Sequence, residues 1–266
     1  MGHEPCADYK CDARRQHPSA AMWILRTVPG RSAPLALAVL GSIMTLPSLP
    51  GHATTFTPPQ GCRLEVTVQN RGCTVSQIYR CESDPKGDQR STIFNEDGPT
   101  HHSRIDAETR WIESSDPDSG IQDRLVEEAR DHASFGTLLR TGYDDFDFWT
   151  ESNTGERLHH VGHDELTGEK VTIDGVELEK TRFELTTTDV NGEVLIQRSG
   201  QQFINRAMGR FFGGIEKMND WTGQRQDTND SPVLFSFPGE KGFGETTPQF
   251  DCGQIVAQLN HERAQL

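Results

Sequence analysis

Glycine turns recur through the second half of the chain, at Asn153-Thr154-Gly155, Thr167-Gly168, Asp174-Gly175, Asn191-Gly192 and Thr222-Gly223. Glycine takes positive φ without steric cost, so each pair or triplet can close a tight hairpin. Short alternating runs between such turns define antiparallel strands in a meander. The Asn191-Gly192 turn can be followed residue by residue. A two-residue loop there sets Phe183, Leu185 and Thr187 opposite Gly200, Arg198 and Ile196. One face then collects Phe183, Leu185, Val194, Ile196 and Ile204, and the other holds Arg182, Glu184, Thr186, Gln197 and Gln201, so the sheet has one dry and one wet side.

The final strand region is expected over 202–215, where Gly209, Gly213 and Gly214 imply bulges or curvature. Residues 219–250 are rich in Asp, Gly, Pro and Thr, with one short apolar run at 233–237, and a small helix is expected over 254–264. Upstream, 82–120 is polar, with weak strands near 89–94 and 108–113 and a loop at Asp116-Pro117-Asp118-Ser119-Gly120. Residues 121–141 change rhythm. Ile121, Leu125, Val126, Ala129, Ala133, Leu138 and Leu139 are spaced for one face of a helix or two short helices, with Asp131 and Ser134 as N-caps and Gly142 as the stop.

The first 53 residues are not expected to join a fold. Met22 can serve as a start, Arg26 and Arg31 supply a basic flank, 33–47 is apolar, and Gly51 and Ala53 suit the small subsites of a signal peptidase. This predicts a signal peptide over 22–53, cleaved after Ala53, with 1–21 reflecting a gene start placed too early. Arg14-Arg15 raises a twin-arginine alternative, but the surrounding residues do not continue that pattern. The apolar stretch is shorter than the roughly 20 residues that span a bilayer. A periplasmic or secreted protein, not membrane-spanning, is expected.

Of 26 basic and 40 acidic residues, five and three lie in 1–53, so 54–266 carries 21 against 37, a net of −16. That charge repels phosphate backbones and argues against nucleic acid as a partner. The length suits one β-rich domain over 54–266.

Four cysteines follow the cleavage point: Cys62, Cys73, Cys81 and Cys252. An even number in an exported chain reads as two disulfides. Residues 62–69 and 73–81 form a strand pair around Asn70-Arg71-Gly72, which puts Cys73 and Cys81 roughly 26 Å apart along one strand. Cys62 and Cys73 are likewise at opposite ends, and a disulfide needs Cα atoms within about 7 Å. Cys62–Cys81 and Cys73–Cys252 remain. A two-residue loop at Arg71-Gly72 suits the first bridge, setting Cys62 against Cys81, Leu64 against Tyr79 and Val68 against Val75. A three-residue loop instead matches Leu64 with Ile78.

Several clusters invite functional readings. His159 and His163 share a strand face and His160 points away, so two imidazoles beside Glu165 fall short of a four-donor zinc site; a solvated face is the simpler reading. Asp145 and Asp147 alternate with Phe146 and Phe148. They are best read as one side of an amphipathic edge strand, with a hydrolase acting through this region as a third-ranked function. Asp116–Gly120 lacks the closing ligands of a calcium loop. No nucleophile elbow, phosphate loop, dinucleotide fingerprint or Cys-x-x-Cys occurs. No residue set supports an enzyme, and no cofactor or metal is implied. Arg198 falls among apolar partners on the dry face, where it meets either an acidic side chain or a ligand head group.

The order of helix, acidic aromatic strand and long strands with glycine turns, over 121–215, resembles the half-barrel (β-clam) fold of exported lipoprotein carriers. That resemblance implies a single curved antiparallel sheet with a helix packed on its concave face and a cavity for acyl chains. The four-cysteine framework and acidic tail depart from it. The expected function is a non-enzymatic envelope protein holding an apolar or lipid-like ligand near Phe183, Ile196 and Arg198. The alternative is a structural or interaction module with a filled core.

Overall fold

The computed structural model describes residues 55–253. The signal segment and the helix expected over 254–264 lie outside the described residues. Within them are β1 (Cys62–Asn70), β2 (Thr74–Cys81), β3 (Gln89–Phe94), β4 (Pro99–Ile105), β5 (Trp111–Ser115), β6 (Gln122–Leu125), α1 (Phe135–Thr141), β7 (Tyr143–Ser152), β8 (Arg157–Ile173), β9 (Val176–Thr188), β10 (Val194–Asn205), β11 (Arg210–Asp220), β12 (Arg225–Asn229) and β13 (Pro232–Ser236). All thirteen strands join one antiparallel sheet in the order β12-β11-β10-β9-β8-β7-β6-β5-β4-β3-β2-β1-β13.

The sheet is not closed, although its edges meet. β12 and β13 lie at opposite ends of the hydrogen-bonded order, yet only Asp230 and Ser231 separate them in sequence. The chain can make that step because the sheet bends back on itself. Phe212 of β11 stacks edge-on against Phe235 of β13 at 5.3 Å, and Arg71 N–H at the β1–β2 turn donates to the Ser231 carbonyl at 2.9 Å. Antiparallel twist and the bulges described below supply the curvature.

The first hairpin keeps the two-residue-loop register only at its open end, and Leu64 does not meet Ile78. Cys62 faces Cys81 and Leu64 faces Tyr79, as the disulfide requires, but Val68 faces Ser76 rather than Val75. The loop holds three residues, Arg71-Gly72-Cys73, and a bulge between Leu64 and Val66 absorbs the extra one. The second hairpin behaves alike. Ile196 faces Thr187, Arg198 faces Leu185 and Gly200 faces Phe183, as expected, while a shift between Val194 and Ile196 turns Val194 out to solvent. Thr167-Gly168 is not a turn. β8 runs through it, and residues 167–169 bulge against Lys180, where the register slips between Leu166 and Lys170. Beyond this bulge Leu178, Val171 and Val176 fold onto Val66, Val68 and Phe235, forming the larger apolar core.

The expected 202–215 strand is two strands, β10 and β11, joined through a turn at 206–209. Gly213 and Gly214 serve close approach, whereas Gly209 takes positive φ in the turn. A Cβ on Gly214 would overlap the carbonyl oxygen of Gln201, at the shift between Gln201 and Phe203. Gly214→Ala is therefore expected to cost roughly 1–3 kcal/mol, read as a lowered urea midpoint; an unchanged midpoint would contradict this packing.

The helix expected over 121–141 is mostly absent. Gln122–Leu125 pairs as β6 between β5 and β7, and Asp131 bridges to Asp147, so backbone pairing in the sheet overrides the helical spacing. Only 135–141 is helical. Ser134 caps it by accepting from Thr137 N–H, and Gly142 at φ 84° closes it with N–H to the Leu138 carbonyl. Leu138 and Phe135 are its buried residues. No helix among the described residues is long and apolar enough to cross a membrane.

Both expected disulfides are present: Cys62–Cys81 with Cα atoms 3.9 Å apart and Cys73–Cys252 at 4.5 Å. They are consistent with an oxidising, extracytoplasmic compartment.

Candidate functional site

β7 is central rather than an edge strand, lying between β6 and β8. Its alternation sends Phe146 and Phe148 inward to pack with Phe183 and Leu185 of β9. These four side chains wall a cavity of about 270 Å³, to which Trp111 and Phe211 also contribute. Trp111 is 49% exposed and so places the cavity's rim at solvent. Ala133 lines it just ahead of α1, and Phe135 of α1 meets Phe211 edge-on at 5.7 Å, so the helix braces one wall.

Two of the three residues singled out from sequence, Phe183 and Arg198, line this cavity. Ile196 does not. It lies two residues beyond Arg198 on the same strand, roughly 7 Å nearer the turn, opposite Thr187. Arg198 donates to Glu216 of β11 at 3.0 Å, so its charge is met inside the protein.

Two further charged residues, Asp164 and Arg210, line the same cavity. Asp164 of β8 faces Phe183 on one side and Asp144 on the other. Burial, reinforced by the Asp144 carboxylate, pushes its pKa up to about 7. Asp144 is itself buried and accepts from Ser134 N–H at 2.7 Å. Arg210 lines the same cavity, and burial pulls its pKa down to about 10.

The histidines divide by face. His160 is buried opposite Phe148, with Nε2 and Nδ1 within 2.9 and 3.1 Å of the Thr150 and Thr187 hydroxyls, and burial lowers its pKa to about 4. His159 and His163 point the other way. His159 stacks on Trp149 at 4.4 Å and meets Asp147 at 2.6 Å, while His163 stacks on Tyr143 at 5.1 Å. His160 thus points away from the His159 and His163 face, as the alternation predicts, and its strand neighbours carry it into the interior. Among the described residues the only group spaced for a metal is Cys73, Glu96 and Cys252, and those two sulfurs are already bonded to each other.

Asp145 and Asp147, which carried the hydrolase alternative, lie on the face opposite Phe146 and Phe148. Asp145 accepts from Tyr143 Oη at 2.9 Å, and Asp147 is engaged by His159 and Arg130. Asp116 turns its carboxylate onto the backbone N–H groups of Asp118 and Ser119, as in an Asx turn. A second cavity of about 260 Å³ has a mainly polar lining that includes Arg90, His102, Glu113, Asp123 and Arg124, and Arg90 is held there by Glu113 at 3.0 Å and by Asp84. The aromatic cavity is thus the better candidate for a ligand.

No family model, curated protein or solved structure matches this chain.

Proposed function

We propose that this is a non-enzymatic envelope protein, periplasmic or secreted, that holds an apolar or lipid-like ligand against the inner side of its bent sheet, in the manner of half-barrel carriers. The observation carrying this reading is the aromatic cavity bounded by Phe146, Phe148, Phe183 and Leu185. Small-molecule sites are typically concave, mostly apolar and furnished with a few convergent polar groups; here Asp164, Arg198, Arg210 and Glu216 are those groups. At about 270 Å³ the space sits just under the roughly 300–1,000 Å³ of sites for drug-sized ligands. It suits one short chain or ring system better than several acyl chains.

The filled-core alternative draws on the other half of the interior, which Leu178, Phe203, Phe212 and Phe235 occupy with the protein's own side chains. Native mass spectrometry of protein gently extracted from its host's envelope separates the two. A ligand-bearing species is expected; ligand-free spectra in repeated preparations would favour the filled module.

A further inference from the structure

Arg210 stands apart from the other arginine of the cavity. Arg198 has Glu216, whereas Arg210 has no carboxylate within ion-pair distance among the described residues. Its partners are neutral: the Gln89 side-chain oxygen at 3.3 Å, the Phe211 carbonyl at 3.4 Å and the ring of Phe212, whose centroid is 5.6 Å from the guanidinium carbon. Its nearest charged neighbours do not neutralise it. Arg80 adds repulsion, and Glu65, which attracts Arg210, is already held by Arg80 at 2.9 Å and by Arg63.

Leaving a half-buried cation without a carboxylate is costly, and the chain carries 40 acidic residues from which a partner could have been drawn. Arginine presents a planar fork that matches a carboxylate with two parallel N–H donors. The remaining wall does not oppose such a ligand. Arg198 and Glu216 offset each other, and Asp164 keeps its proton up to about pH 7.

Resting on the ligand-binding reading above, we infer that the cavity takes a small amphiphilic monocarboxylate, its apolar chain against Phe146, Phe148 and Phe183 and its carboxylate on Arg210. This narrows the ligand class from apolar molecules in general to acids of short or medium chain.

Isothermal titration of the full exported chain with octanoate and with 1-octanol, matched in chain length and differing in charge, tests it at pH 6, where Asp164 still largely holds its proton. Octanoate is expected to bind at least about tenfold more tightly, the discrimination of a charged hydrogen bond. In Arg210→Met the preference should vanish while octanol binding persists. Equal affinity of the unaltered protein for both ligands would overturn the carboxylate assignment but keep apolar binding. No binding of either would overturn both. Because the comparison within the unaltered protein needs no variant, misfolding of Arg210→Met would leave the test intact.

Discussion

Replacing Cys73 and Cys252 together with alanine is expected to lower the unfolding free energy by about 5 kcal/mol, against about 3 kcal/mol for the same change at Cys62 and Cys81. The difference follows from the span each bond closes: 179 residues for the first and 19 for the second. A crosslink between distant residues removes more freedom from the unfolded chain, so the longer loop contributes more. Native interactions at the Cys73 junction act in the same direction. Cys73 N–H donates to the Phe250 carbonyl, and Arg71 reaches Asp251 at 3.3 Å, so losing the bond also loosens the return of residues 250–252 to the first turn. Urea unfolding of the two double variants measures both effects, and a greater loss from the Cys62 and Cys81 pair would reject the loop-length account.

The second large effect is a pair of opposed pH dependences inside one interior. Asp164 titrates near 7 when folded and near 3.8 when free, so the native state holds an extra proton between those values. Its contribution therefore stabilises the fold at low pH and fades as pH rises toward 7. His160 titrates near 4 when folded and near 6.5 when free, so the unfolded chain holds the extra proton, and its contribution destabilises the fold as pH falls from 6.5 to 4. The magnitudes are roughly 4 and 3 kcal/mol, and over that shared window they nearly cancel. Asp164→Asn should expose the histidine, giving a protein that weakens by roughly 3 kcal/mol between pH 6.5 and 4. His160→Gln should expose the acid and strengthen over the same interval. Denaturant titrations at a series of pH values test this directly; parallel pH profiles for both variants and the unaltered chain would refute it.

Much of the sheet was readable where hydrophobic alternation and turn chemistry agree. The pairing of Phe183, Leu185 and Thr187 with Gly200, Arg198 and Ile196 needed only the Asn191-Gly192 turn and the dry face. The disulfide partners followed from distance along a strand. Single-residue bulges escaped, because an inserted residue changes register without altering the local pattern. Val68 and Val194 were misplaced for that reason. β4 and β12 were missed because their pairing is polar. Ser91 meets Ser103 and Thr92 meets His102 by side-chain hydrogen bonds at 2.8 and 2.9 Å, so no apolar rhythm marks the ladder. The helical spacing of 121–133 was real as a pattern but weaker than the backbone bonds offered by β5 and β7.

The candidate site was half legible for a similar reason. Phe183 and Arg198 lie on a hairpin whose register the turn settles, whereas Asp164 and Arg210 depend on the β7–β8 register and on where β11 begins. A local signal for Arg210 existed in the cation beside Phe211 and Phe212. What could not be read locally was the lack of a carboxylate nearby, since that depends on the whole interior.

The two-residue step from β12 to β13 has a consequence for how such a chain matures. As it emerges amino end first, β1 can mate with β2 at once, but its other ladder must wait for β13, the last strand of the described residues to arrive. During that wait the uncovered side of β1 is a template for neighbouring chains. Among the cysteines of the described residues, Cys73 meanwhile has two premature thiol suitors, Cys62 and Cys81. Early oxidation of those two with each other removes both wrong choices, so the small hairpin bond acts as a chaperone for the long one.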